Sequence, residues 1–152
     1  EAVFVAEWYP LERLNEGESI NQNDWASILL AKEAINKVIE SERNQGVIKG
    51  SLGANVCLYA DPEMYASLAK LGEELRFVTI TSKAELRPIA EANNVAESTL
   101  SGLRVSLERS SSDECVRCWH FIEDVGSQLT HPDVCARCVD NISGQGEVRA
   151  HA

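Results

Sequence analysis

Four cysteines in the last third of the chain have the spacing of a metal site. They form two Cys-x-x-Cys pairs separated by sixteen residues, and the four are Cys115, Cys118, Cys135 and Cys138. Two residues between cysteines let one tight turn present both sulfurs to a single ion, and two such turns complete a tetrahedral shell. The spacing falls within the range of zinc ribbons and related fingers. The sequence therefore predicts one Zn²⁺ per chain, held by four thiolates.

The predicted zinc is structural, because four thiolates leave no open position for water or a substrate. Two redox dithiols are the alternative, but a thioredoxin-like site needs a strand followed by a helix around one pair, and this segment shows no such pattern. We expect His120 and His131 to lie on the surface or just outside the ligand shell. Cys57 is expected to be a packed core thiol.

Composition limits the partners of this finger. The chain has 152 residues, 44% of them apolar, and its 24 acidic against 14 basic residues give a formal net charge of −10. This is too apolar for a disordered tail, while the apolar runs are too short for a membrane span. Affinity for phosphate grows with the number of Lys and Arg that neutralise it. Binding of nucleic acid by overall charge is therefore excluded, and any such role must be local.

A local surface for RNA is present beside the cysteines. A surface that combines aromatic side chains with arginines can stack bases and hold phosphates. The first predicted helix offers a second candidate. Its polar face has charges of both signs and is either a solvated surface or a contact to an RNA backbone. The candidate RNA-contacting residues are Arg117, Trp119, Arg137, Lys32 and Lys37. Residues 115–152 carry three arginines against five acidic residues. The finger must therefore be positioned on RNA by something larger.

An α+β unit precedes the finger. Apolar residues repeat at three and four positions after Asn23, which predicts a helix to about Asn44. The other predicted elements are strands at residues 54–60, 76–81 and 102–108, a short helix from Pro62, and a mobile connection with helical turns at residues 83–101. Alternation in the strands predicts a small mixed sheet covered on one side only. The predicted division is residues 1–22, residues 23–109 and, after a hinge at Ser110–Asp113, the finger at residues 110–152.

These motifs together resemble a known family. Cys115-Val-Arg-Cys118-Trp-His120, Cys135-Ala-Arg-Cys138 and Gly144-Gln-Gly-Glu147 look like the C-terminal zinc finger of bacterial isoleucyl-tRNA synthetases. The upstream segments Ala34–Glu40, Gly50–Leu52, Val56–Tyr59 and Glu74–Phe77 are similar to the segment that follows the anticodon-binding helical domain of the same enzymes. Trp8-Tyr9-Pro10 resembles the end of that domain, so residues 1–22 are expected to be its tail.

The resemblance implies a role in aminoacylation. The parent enzyme would be an ATP-dependent ligase, with ATP bound only outside this chain, and its C-terminal region contacts the anticodon side of the isoleucine tRNA. The catalytic motifs His-x-Gly-His and Lys-Met-Ser-Lys-Ser do not occur here, so we expect this chain alone to be non-catalytic. Its implied partners are that tRNA and the rest of the synthetase, in a cytoplasmic monomer without a membrane partner.

Two other functions stay open. Formamidopyrimidine-type DNA glycosylases carry a finger with similarly spaced cysteine pairs, although they begin with a catalytic proline and this chain opens Glu1-Ala-Val-Phe4. A zinc-ribbon adaptor that binds proteins would suit the net charge of −10. The absence of a secretory pattern favours the cytoplasm. Because the only methionine is Met64, we expect a processed chain or a piece of a longer one.

Overall fold

The computed structural model describes residues 19–152 as four helices and a small sheet, with short 3-10 turns between them. The helices are α1 (Gln22–Asn44), α2 (Pro62–Ala69), α3 (Leu75–Thr79) and α4 (Ala136–Ser143). The strands are β1 (Ala54–Ala60), β2 (Lys83–Pro88) and β3 (Leu103–Arg109). The predicted α+β class is confirmed. Residues 1–18, which hold most of the predicted domain tail, lie outside the described part.

Helix α1 begins at a reciprocal cap. The side-chain oxygen of Asn21 accepts hydrogen bonds from the backbone N–H of Asn23 (2.9 Å) and Asp24 (3.0 Å), and the Asp24 carboxylate accepts one from the N–H of Asn21 (2.9 Å). Such a capping box satisfies donors that have no partner in the first helical turn. One apolar side of α1 is buried in the core and comprises Ile28, Ala31, Ala34, Ile35 and Ile39. The predicted helix is confirmed to within two residues.

The sheet has the order β2-β1-β3, with β1 parallel to β2 and antiparallel to β3. In the register, Leu58 lies opposite Leu86 on one side and Val105 on the other. Side chains that alternate along β1 point to opposite faces, and Ala54, Val56 and Leu58 are buried while the residues between them are not. The prediction that one face is covered and the other is polar is confirmed.

The second predicted strand is wrong. Residues 75–79 form helix α3. The parallel partner of β1 is instead β2, at residues 83–88, where the sequence predicts a mobile connection. The β-branched run misled the prediction because strand propensity depends on context. Here the Thr79 hydroxyl donates to the carbonyl oxygen of Leu75 (3.0 Å) and lies 2.8 Å from the hydroxyl of Thr81. Helix α3 ends at Ile80, whose φ of 56° stops it.

Cys57 is not a packed core thiol. It is half-buried in the middle of β1, on the face opposite to Val56 and Leu58, and it lines an open polar surface with Tyr59 and Arg87. The alternation that buries Val56 excludes Cys57 from the same layer. This corrects the prediction. Among the described residues, no helix combines the length and the apolar character needed to cross a bilayer.

Candidate metal centre

The structure brings the two predicted cysteine pairs together. The four Sγ atoms all lie within 4.8 Å of one another, and they belong to Cys115, Cys118, Cys135 and Cys138. The Sγ atoms of Cys118 and Cys135 are 3.8 Å apart. A tetrahedral zinc site with Zn–S bonds of about 2.3 Å has S···S edges of about 3.8 Å. The Cys118–Cys135 distance therefore matches such an edge, and all four sulfurs lie close enough together to be ligands of one ion.

Two different local structures hold the pairs. The first pair lies in a tight turn closed by a hydrogen bond from the N–H of Trp119 to the carbonyl oxygen of Cys115 (2.8 Å). The second pair starts a helix, with Cys135 at the N-cap of α4 and Cys138 in its first turn. The N–H of Cys135 donates to the Sγ of Cys115 (3.4 Å) and thus ties the two structures together. Sequence reasoning missed α4, although Cys138, Val139 and Ile142 have helical spacing.

The electrostatics of the cluster call for a cation. Burial opposes ionisation of Cys115, but N–H groups of Cys135, Cys118 and Arg117 outweigh it and lower the pKa of Cys115 to about 6. Burial raises the pKa of Cys135 to about 12, and that of Cys138 is raised as well, again mainly by burial. Four thiolates in one buried site are stable only with a positive ion between them. The donor set fits Zn²⁺.

The two histidines lie outside the four-sulfur cluster. His120 is buried, and the carbonyl oxygen of Cys118 accepts a hydrogen bond from its Nδ1 (3.1 Å). Burial lowers the pKa of His120, and Arg137, Arg76 and Arg149 lower it further. A hydrogen bond from His120 to the backbone of a ligand residue fixes the turn that holds the metal. His131 is half-buried, and its N–H donates to Gln128.

Two of the predicted RNA-contacting residues lie on the first cysteine turn. Trp119 is 63% exposed and has a φ of 63°, in the left-handed region that favours glycine. It lines a cleft together with Phe121, Lys49 and Arg109. Arg117 is exposed, and its Nη1 lies 3.4 Å from the Sγ of Cys138. Arg117 and Trp119 thus lie on the protein surface beside the four-sulfur cluster.

Of the other predicted RNA-contacting residues, Lys32 and Lys37 lie on α1 and Arg137 lies on α4. The Nζ of Lys37 lies 3.5 Å from the hydroxyl of Thr99. The side chain of Arg137 is only 17% exposed, and its Nη1 donates to the Glu147 carboxylate (2.8 Å). The structure therefore places Arg137 inside the protein rather than on a free surface.

A cluster that sequence reasoning missed surrounds the ring of Phe77. Guanidinium groups lie 4.7 Å (Arg76), 5.1 Å (Arg137) and 3.9 Å (Arg149) from the ring centroid, and His120 meets the ring edge-on at 6.0 Å. Because Phe77 belongs to α3 and Arg137 to α4, the cluster links the α+β unit to the finger. The adjacent residues Arg76 and Phe77 were a sequence signal for this cluster, but they fall where the sequence predicts a strand.

Further hydrogen bonds cross the same boundary. The N–H of Phe121 donates to the hydroxyl of Ser82 (2.6 Å), and that hydroxyl donates to the carbonyl oxygen of Leu52. At the predicted hinge, Ser110 is buried and its N–H donates to Gly53 (2.9 Å). The division of the chain at this point stays a prediction.

The geometry defines a class: a small α+β unit that carries a four-cysteine zinc finger. Residues 112–141 match the family described as "Zinc finger found in FPG and IleRS". This range contains all four clustered cysteines. The finger family by itself covers two kinds of enzyme, so the rest of the chain decides between them.

The relatives of the whole chain are isoleucine–tRNA ligases. The chain is 48% identical to "Isoleucine--tRNA ligase" of Teredinibacter turnerae over 151 residues, 99% of this chain and 16% of that protein. It is 46% identical over 160 residues to the ligase of Psychrobacter arcticus, and 47% identical over 154 residues to that of Alcanivorax borkumensis, covering 17% and 16% of those proteins. The chain is thus homologous, over essentially all its residues, to a segment of isoleucine–tRNA ligases. It spans about one sixth of the length of these enzymes.

Proposed function

We propose that this chain is the C-terminal, zinc-containing, tRNA-binding part of an isoleucine–tRNA ligase and that it holds no catalytic residue. This proposal rests on the four-sulfur cluster, which lies in a chain that matches these ligases over 99% of its residues. A four-thiolate zinc has no open coordination position, so it organises the finger instead of activating water or a substrate.

The complete enzyme would attach isoleucine to its tRNA with ATP, using parts that lie outside this chain. The partners of the chain are then the rest of the ligase and the anticodon side of the isoleucine tRNA. The proposal places the enzyme in the cytoplasm as a monomer, without a membrane partner. One zinc per chain, bound by Cys115, Cys118, Cys135 and Cys138, completes the assignment.

The exposed turn of the finger is the proposed RNA contact. Trp119 combines 63% exposure with a backbone conformation that is strained for any residue except glycine. Residues in this conformation are enriched at functional sites, although Ile80 adopts it only to end α3. Arg117 stands two residues away, and Lys49 and Arg109 line the same cleft as Trp119, together with one acidic residue, Glu114. An aromatic face flanked by cations suits an unstacked base and its phosphates. Lys32 and Lys37 on α1 offer a second, separate contact to the RNA backbone.

The complete ligase with and without residues 110–152 tests this function. We expect the shortened enzyme to have a KM for isoleucine tRNA raised at least tenfold, while isoleucine-dependent ATP–pyrophosphate exchange changes less than twofold. Arg117→Ala, with Arg43→Ala on α1 as the matched control, tests the surface without removing the finger. An unchanged KM for tRNA in the shortened enzyme would contradict the proposal.

A further inference from the structure

We propose that Arg76, Phe77 and Arg137 form a second RNA site, for a backbone phosphate, and that residues 147–152 cover it in this structure. These six residues are named the strap. The inference rests on the proposed tRNA-binding function and adds a regulated surface to it. In the covered state, the Glu147 carboxylate of the strap takes the place of the phosphate.

The contacts of Glu147 are those of a bound anion. One oxygen, Oε1, accepts hydrogen bonds from Arg137 Nη1 (2.8 Å), Arg149 Nη2 (2.9 Å) and Asn141 Nδ2 (3.1 Å). The planar donor fork of arginine binds carboxylate and phosphate with the same geometry. A phosphate oxygen can therefore replace Glu147 at Arg137 and Asn141, which lie outside the strap, whereas Arg149 leaves with the strap.

Two unsatisfied donors lie beside the ring of Phe77. Within the part of the chain that the structure describes, the Nε atoms of Arg76 and Arg137 are buried donors without a hydrogen-bond partner. The partnerless Nε2 atom of His120 is an acceptor, because the proton of the neutral ring lies on Nδ1, which donates to Cys118. His120 is itself only 9% exposed. Buried polar atoms normally have partners, so their absence needs an explanation. The guanidinium groups of Arg76 and Arg137 lie 4.7 Å and 5.1 Å from the Phe77 ring centroid, and a carboxylate has fewer acceptor oxygens than a phosphate to offer them. A phosphate is the better ligand for this set.

The strap is held in a way that permits its release. The Glu74 carboxylate accepts three backbone hydrogen bonds, from the N–H groups of Ala150 (2.6 Å), His151 (2.7 Å) and Ala152 (2.7 Å). The strap buries no large apolar side chain, and its valine, Val148, is 97% exposed. Segments with few apolar contacts open at low free energy, independently of the core. The strap can therefore leave while the zinc cluster remains intact.

Release would change the surface of the finger. It uncovers an aromatic ring between two arginines, one on α3 and one on α4, which is a base-and-phosphate platform of the kind that RNA uses. Because Glu147 and a phosphate compete for Arg137, the strap lowers the affinity for RNA. This also explains why Arg137, at a position equivalent to Arg117 in the sequence, is covered in the absence of RNA.

The test is Glu147→Gln in the complete ligase, which keeps the shape of the side chain and removes the competing charge. Glu123→Gln, an exposed acid elsewhere on the finger, is the matched control. We expect E147Q to lower the Kd for an isoleucine tRNA transcript about threefold to tenfold, and to steepen its log–log salt dependence by about one unit. E123Q should change the Kd less than twofold. Zinc content checks that both variants keep the finger folded.

Amide hydrogen exchange provides the second readout. In the wild-type ligase, adding the tRNA should speed exchange at residues 150–152, since their N–H groups lose Glu74 when the strap leaves. The proposal that the strap covers an RNA site would be overturned by any of three results. These are equal effects of E147Q and E123Q on the Kd, weaker tRNA binding by E147Q, and unchanged exchange at residues 150–152 when tRNA is added. Failure of the proposed function looks different: removal of residues 110–152 would then leave the KM for tRNA unchanged, whatever residue stands at position 147.

Discussion

The Sγ atoms of Cys118 and Cys135 lie 3.8 Å apart, although sixteen residues separate them in the chain. One belongs to a tight turn and the other to the N-cap of α4, so this contact helps to close the loop between the two cysteine pairs, together with the hydrogen bond from the Cys135 N–H to Cys115 Sγ. A bare pair of thiols at this distance gains little, whereas a shared Zn²⁺ makes the contact strong. The folding of the finger is therefore expected to depend on the metal.

Replacement of one ligand tests this dependence. We expect Cys135→Ser to abolish stoichiometric zinc and to unfold the finger, because structural zinc contributes about 10–16 kcal/mol in isolated fingers at neutral pH. Metal analysis should find one zinc in the wild-type chain and less than about 0.2 in the variant. Cys57→Ser is the control, since Cys57 lies on the sheet, and it should keep one zinc. A Cys135→Ser variant that retains one zinc would contradict the ligand assignment.

The exposed Trp119 should show opposite effects on stability and binding. A left-handed backbone costs a non-glycine residue about 1 kcal/mol, so Trp119→Gly should leave the free energy of unfolding unchanged or raise it slightly. If Trp119 stacks on a base, the same change should weaken tRNA binding by about 1–3 kcal/mol, the usual value for such a contact. Chemical denaturation and the Kd of the complete ligase measure the two effects.

Val116 provides the comparison for Trp119. It is also 63% exposed and lies in the same turn, so Val116→Ala should change neither stability nor binding appreciably. Tight tRNA binding by Trp119→Gly would show that this side chain makes no contact with RNA.

An ion pair between the exposed Lys70 and the buried Asp24 joins the first two helices and makes their packing sensitive to acid. Lys70 Nζ lies 2.6 Å from Asp24 Oδ2, and the hydroxyl of Ser67 donates to Asp24 Oδ1 (3.0 Å). The hydrogen bonds from Lys70 and from the N–H of Asn21 are the main causes that lower the pKa of Asp24 below its usual 3.8. Because the folded pKa is depressed, this stabilisation is present above pH 3.8 and is lost as the pH falls through the lower, folded value.

Lys70→Met should raise the pKa of Asp24 and lower the free energy of unfolding at neutral pH, since it leaves a mostly buried carboxylate without its cation. NMR titration of the Asp24 carboxyl carbon gives the pKa, and chemical denaturation gives the stability. Arg43→Met removes an exposed pair with Glu40 in the same helix and should cost only about 0–0.5 kcal/mol. Equal losses in the two variants would show that burial of Asp24 adds nothing.

Much of the architecture was predictable where a local signal and the tertiary environment agree. Helix α1 has both an apolar repeat and a capping box, and β1 and β3 alternate cleanly, so all three were found. The prediction failed at residues 76–88, where Arg76–Thr81 has strong strand propensity and yet its first four residues lie in α3. Pairing with β1 decides which segment becomes the strand, and a propensity cannot report a partner that is distant in sequence.

The sequence alone predicted the metal centre, because two Cys-x-x-Cys pairs at this spacing favour a zinc site, and the clustered sulfurs agree with that prediction. Only the tertiary structure decided which arginines face solvent. Arg117 and Arg137 occupy equivalent positions in the two pairs, but Arg137 lies against Phe77 from α3 and binds Glu147 of the strap. The difference arises from contacts between segments tens of residues apart, and these form only when the chain is folded.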